Sequence, residues 1–146
     1  MANRVYRLFM LVLVVLSLSA ALFGQEVKKY RGAKVDNAAT EEATRMAGAE
    51  SGLEVTVYIT SDPFDKVCAF YKENAHEYAM PGKRVRKLPS GQELRDAFFL
   101  FDDTTDLLTS KAWVKVQRPY IGSGVSRDAA ASEIRDVTAI VISVRK

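Results

Sequence analysis

The sequence predicts an α+β fold: one long helix packed on a mostly antiparallel four-stranded sheet, in the order β-α-β-β-β, with a short extra helix at the N-terminal end. Three observations predict it. Leu53 to Thr60 alternates strictly between apolar and polar residues, the period of a half-buried strand. Directly after it, Phe64, Val67, Cys68, Tyr71, Ala75 and Tyr78 recur at helical spacing, so one helix face is apolar. Three more runs rich in aromatic or β-branched residues follow, at Arg95 to Phe101, Ala112 to Gln117 and Val137 to Val144.

Taken in order, Gln25 to Val35 shows no sustained period and reads as an irregular lead-in. Asn37 to Gly48 places Ala39, Ala43, Met46 and Ala47 on one helical side, with Asn37 as the cap and Gly48 as the stop. The strand at Leu53 to Thr60 turns Leu53, Val55, Val57 and Ile59 one way and Glu54, Thr56, Tyr58 and Thr60 the other. Asp62 then stands where a carboxylate caps a helix, Pro63 suits the first helical position, and Asp65 complements the positive end of the helix dipole. The helix is expected to run from Pro63 to Met80, where Pro81-Gly82 ends it.

The basic run Lys83 to Lys87 reads as a solvated edge or loop, and Pro89-Ser90-Gly91 as a turn. Asp102 to Asp106 breaks the strand that ends at Phe101. Arg118-Pro119 stops the next strand, and a loop around Gly122-Ser123-Gly124 leads to the last one. That last run, Val137 to Val144, is apolar on both sides over most of its length, the mark of a central strand.

The chain has 146 residues, enough for one core, and divides into a signal peptide over 1–24 and a single α+β domain over 25–146. Arg4 and Arg7 precede an apolar run from Leu8 to Leu16, followed by small residues at Ser19, Ala20 and Ala21, the order of a secretory signal peptide. Cleavage is expected after Ala21 or after Gly24. The competing reading is an uncleaved anchor, because Leu8 to Gly24 reaches the lower end of the ~17–25 residues that span a bilayer. Gln25 occupies the position a lipid-carrying cysteine would need, so no lipid anchor is expected. Removing 1–24 takes two of the 21 Lys and Arg and none of the 18 Asp and Glu, and the formal charge falls from +3 to +1. A nearly neutral chain gives no electrostatic basis for bulk nucleic-acid binding.

Several words of the sequence occur together in a pattern met elsewhere: Tyr30-Arg31-Gly32-Ala33-Lys34, Thr60 to Val67 with Phe70-Tyr71-Lys72, and Arg135-Asp136-Val137-Thr138. The chain resembles a set of small uncharacterised exported bacterial proteins across most of residues 25–146. It departs from them at Arg31, where that set carries proline. The resemblance implies export and a single domain, and it implies no activity.

Candidate chemistry is sparse. His76 is the one histidine, and it falls among Glu73 and Glu77 on the polar side of the expected helix. Cys68, the one cysteine, shares the apolar stripe, where cysteine acts as a small core hydrophobe. Asp102, Asp103 and Asp106 are candidates for a hard cation because Asp102-x-Thr104-x-Asp106 places oxygen donors at alternate positions, but Leu107 stands where a calcium loop needs glycine and Trp113 where it needs glutamate, so an acidic turn is the better reading. Gly122-x-Gly124 lacks the third glycine of a phosphate-binding fingerprint, and the Ser-x-x-Lys spacing at Ser143 ends a strand instead of opening a helix. No catalytic residue, metal ligand or cofactor site is assigned.

The sequence therefore points to an exported, periplasmic or extracellular, non-catalytic binding or interaction module, its partner an unidentified ligand or envelope protein. The alternatives are a small carboxylate-dependent hydrolase or carbohydrate-active enzyme, and a membrane-anchored structural envelope protein. Membrane contact is expected only if the N-terminal segment stays uncleaved, and a homodimer is compatible with the sequence. If the long helix covers the Leu53, Val55, Val57 and Ile59 side, the opposite side presents Tyr58, joined by Phe98, Trp113, Lys115 and Gln117 provided the strands alternate in phase. Those five residues are the expected binding surface, unless a loop, the front helix or a second copy covers it.

Overall fold

A computed structural model describes residues 26–82, 85–122 and 134–146. The expected signal segment 1–24, Lys83, Arg84, Ser123 and Gly124 lie outside the described residues. The described chain is α+β, and most of it is one antiparallel sheet. Its elements are β1 (Lys34–Val35), α1 (Asn37–Ala47), a 3₁₀ turn (Ala49–Ser51), β2 (Leu53–Thr60), α2 (Phe64–Lys72), β3 (His76–Tyr78), β4 (Val85–Lys87), β5 (Glu93–Leu100), β6 (Ala112–Arg118) and β7 (Thr138–Arg145). Strands run in the spatial order β1-β2-β7-β6-β5-β3, and β4 pairs with β5 beside β3.

The expectation of one long helix on four strands is thus corrected, among the described residues, to two short helices and seven strands. The four strands that were legible are present, and β7 is central, between β2 and β6. The three unread strands are two or three residues long, too short to display a period. The long helix fails for a related reason. Ala75 and Tyr78 fit the helical stripe, yet α2 ends at Lys72, where the Asn74 side-chain amide donates to the Phe70 carbonyl. The chain then turns and lays His76–Tyr78 along the outer edge of β5, satisfying backbone groups that would otherwise form a bare sheet edge.

Both helix starts differ from expectation by one position. Asp36, not Asn37, caps α1, accepting from the Ala39 backbone N–H at 3.0 Å. Pro63 occupies the cap position of α2, while the Asp62 carboxylate accepts from the Tyr30 hydroxyl at 2.7 Å and from Lys66 at 3.0 Å. Asp62 therefore ties the lead-in segment to the helix instead of capping it. Gly48 closes α1 at φ 79°, a left-handed conformation that a side chain would strain.

The helices cover opposite faces of the sheet. On one, Phe64, Val67, Cys68 and Tyr71 of α2 pack with Ala97, Phe99, Val114, Val116, Ile140 and Ile142. On the other, Ala39 and Ala43 of α1 pack with Val55, Val57, Ala139 and Tyr120. The expectation that the helix following β2 covers the Val55 and Val57 side is reversed: that side belongs to α1, and Tyr58 packs against the α2 cluster. Side-chain size explains the match. The alanine face of α1 lets that helix lie close against β2, whereas Phe64 and Tyr71 fill the deeper space over β5 and β6.

Candidate functional site

Strand register decides which of the expected surface residues meet. Val57 lies opposite Val141, Val141 opposite Lys115, Lys115 opposite Phe98, and Phe98 opposite Tyr78. Directly paired residues point to the same side of a sheet, so Phe98 and Lys115 lie on the face of Val57. Trp113 and Gln117, two positions either side of Lys115, share it. Tyr58 points the other way, next to Val57 in sequence but toward α2. Four of the five expected residues therefore share a face and Tyr58 does not, because the phase of β5 and β6 is opposite to the one that would have joined them to it.

Within that face the four residues differ. Gln117 is buried, and its side-chain amide donates to the Pro119 carbonyl at 3.4 Å, a structural role. Phe98, Trp113 and Lys115 are half-buried. Neither ring belongs to either hydrophobic cluster. The helix α1 lies over the β2 end of this face, and the patch of Phe98, Trp113 and Lys115 begins beyond it, on β5 and β6.

Two parallel rows of side chains make up the patch. Tyr78, Phe98, Lys115 and Val141 form one, and His76, Leu100, Trp113 and Ser143 the other; Leu100 and Ser143 are buried, and Val141 packs against the α1 cluster. The Lys115 ammonium stands 5.9 Å from the centre of the Phe98 ring, and the Arg145 guanidinium 5.9 Å from that of Trp113. Arg86 and Asp96 pair at 3.2 Å on the neighbouring strands. Burial pulls the Lys115 ammonium below its ordinary pKa; Asp96 opposes that shift and Arg86 adds to it. Among the described residues Lys115 has cation–π contact with Phe98 and no hydrogen-bond or ion-pair partner.

Sequence reasoning missed Tyr78 and Arg145. Tyr78 was hidden by its fit to the helical stripe, and the position of Arg145 over Trp113 follows from register, which no single strand reveals.

The remaining candidate chemistry resolves into structure. Cys68 is buried on the sheet-facing side of α2, and burial pushes its thiol up to about 12, so it is a poor nucleophile. Asp102 organises its own turn: it accepts from the Thr104 hydroxyl, the Lys111 backbone and the Ser110 hydroxyl. Desolvation alone would raise its pKa, and those hydrogen bonds outweigh it and hold the carboxyl low. His76 is exposed on β3, at the rim of a shallow pocket with Tyr78, Leu100 and Asp103. Among the described residues no three His, Cys, Asp or Glu side chains gather as a metal site would require, and no helix is long and apolar enough to cross a membrane.

Comparison with protein-family models, with curated proteins and with solved structures finds no match to this chain.

Proposed function

We propose that the chain is an exported, non-catalytic binding module that takes its ligand on the sheet face of Phe98, Trp113 and Lys115. One observation carries the binding reading: two half-buried rings outside both cores flank a lysine whose ammonium has no hydrogen-bond partner among the described residues. Aromatic rings offer large contact area at small entropic cost, and a lysine among them orients a polar ligand group. Export rests on Arg4, Arg7, the apolar run that follows and the small residues Ser19 to Ala21, together with the resemblance to exported bacterial proteins.

The hydrolase alternative gains no support from the carboxylates. Asp36, Asp62, Asp65 and Asp102 are all held below the usual carboxylate range, chiefly by hydrogen bonds, whereas a general acid needs a raised pKa.

The test has two arms. Expressed from its full-length gene in a bacterial host, the exported protein should have an intact mass starting near Leu22 or Gln25. Full-length chain retained in the membrane fraction refutes cleavage. Trp113 is the only tryptophan, so acrylamide quenching reads the face directly. The free monomer should be quenched readily, and complete shielding of Trp113 in a ligand-free monomer rules the face out.

A further inference from the structure

We infer that this face binds an acidic polypeptide segment, whose carboxylates meet Lys115 and Arg145 while its apolar side chains cover Phe98 and Trp113. The inference rests on the binding reading above and adds the chemistry of the occupant. Of the charges on the patch, Arg86 and Asp96 satisfy each other at 3.2 Å. Lys115 and Arg145 form no ion pair among the described residues, although Asp96 acts on Lys115 through space, and the Arg145 side chain reaches the Leu108 carbonyl at 3.5 Å. Asp103 stands apart, with His76 in the pocket beyond Leu100. Three cations, Arg86, Lys115 and Arg145, against the single carboxylate of Asp96 leave the patch net positive beside two rings, and its complement is negative and apolar together.

The position of Lys115 strengthens the point. Its side chain is half-buried, burial lowers its pKa, and its ammonium lies over the Phe98 ring. A carboxylate arriving there forms a charge-assisted hydrogen bond with less water to displace than at a fully solvated lysine.

Shape favours a chain over a small molecule. The half-exposed part of the two rows, Tyr78, Phe98, Trp113 and Lys115, crosses β3, β5 and β6, about 10 Å at ~4.8 Å per strand, and lies on a sheet face, whereas small ligands favour enclosed hollows. A second copy of this chain is a poor occupant, because a two-fold pairing of like faces sets Lys115 and Arg145 against the same cations. A lipid surface is poorer still: electrostatic docking on anionic bilayers uses clusters of about four to eight basic residues, and here one of the three is already paired.

The test measures fluorescence anisotropy of a labelled random copolymer of glutamate and tyrosine, with a lysine–tyrosine copolymer as the charge-reversed control. The expected result is saturable binding of the acidic copolymer alone, with a shift in Trp113 emission. Lys115→Gln should weaken it about tenfold and Lys115→Arg should restore it, with unfolding midpoints unchanged; Arg145→Gln is the second variant should Lys115→Gln fold poorly. Absence of binding, equal binding of the two copolymers, or binding lost in Trp113→Ala but unaffected by removing either cation overturns the acidic occupant and leaves the face as a binding surface. Binding untouched by Trp113→Ala, Lys115→Gln and Arg145→Gln overturns both the inference and the reading beneath it. Tighter binding to phosphatidylglycerol vesicles than to the acidic copolymer overturns the polypeptide in favour of a membrane.

Discussion

The two faces of the sheet are built from the same strands and have nearly opposite fates. Phe98 and Phe99 are neighbours in β5. Phe99 has no exposed surface and stacks with Tyr71 of α2 at a ring separation of 5.7 Å, while Phe98 is half-buried beside Lys115. The α2 side is an aromatic core closed over β5, β6 and β7; the α1 side is closed over β2 by small residues and bears half-buried rings over β5 and β6. The difference teaches that hydrophobic content alone does not mark a core. A helix with large side chains closes the α2 side, whereas on the other face burial is uneven: Leu94 and Leu100 of β5 are buried and Phe98 between them is half-exposed.

The largest expected effect tests that contrast directly. Phe99→Ala should cost about 3–5 kcal/mol, the usual range for emptying a closed aromatic site, while Phe98→Ala should cost about 1 kcal/mol or less. Urea unfolding midpoints of the two variants provide the check. Equal losses would break the comparison, since they would mean that Phe98 is enclosed as fully as Phe99.

Cys68 reports the closure of the α2 side more locally. With its thiol buried and pushed up to about 12, a thiol reagent should label the folded protein slowly and the urea-unfolded protein fast. Cys68→Ser should lose about 1–2 kcal/mol, because a hydroxyl replaces a thiol in apolar surroundings. Rapid labelling of the native state would show that α2 does not seal that face.

The smallest effect concerns the α1 side. Asp36→Ala removes the α1 cap and should cost about 1 kcal/mol. The backbone N–H of Ala39 and the guanidinium of Arg135 hold the Asp36 carboxyl below its ordinary pKa. A carboxyl depressed in the folded state stabilises above its unfolded pKa of about 4, and that contribution disappears as pH falls through the lower folded value. Thermal unfolding followed from neutral to acid pH should therefore show a shallower acid loss in Asp36→Asn, which keeps a capping side chain without the titration. An unchanged acid profile would remove Asp36 from the account of how α1 is held on the sheet.

Legibility in the sequence followed element length. The strand Leu53–Thr60 could be read to the residue, and the apolar run near the C-terminus was placed in the middle of the sheet, because eight residues display a period and a two-sided apolar run implies burial on both faces. Two- and three-residue strands display neither, and β1, β3 and β4 went unread. The end of α2 misled for a subtler reason: Tyr78 sits seven residues after Tyr71, two helical turns, and the same residue fits a strand opposite Phe98. Local spacing cannot choose between these, whereas the unfilled edge of β5 can.

The candidate surface divides in the same way. That Phe98 and Leu100 alternate against Phe99, and Trp113, Lys115 and Gln117 against Val114 and Val116, follows from the two-residue period of an extended chain and is a property of the sequence by itself. Which of those sets lies with Tyr58 was decided only by tertiary structure. One residue of register reverses the facing of a whole strand, and the register here is set by pairing between segments far apart in the chain: β2 with β7, and β7 with β6. Closure of each face was likewise decided in three dimensions, by the bulk of α2 over one side and the alanines of α1 over part of the other. A strand carries the alternation wherever it is placed, but burial belongs to whatever packs against it.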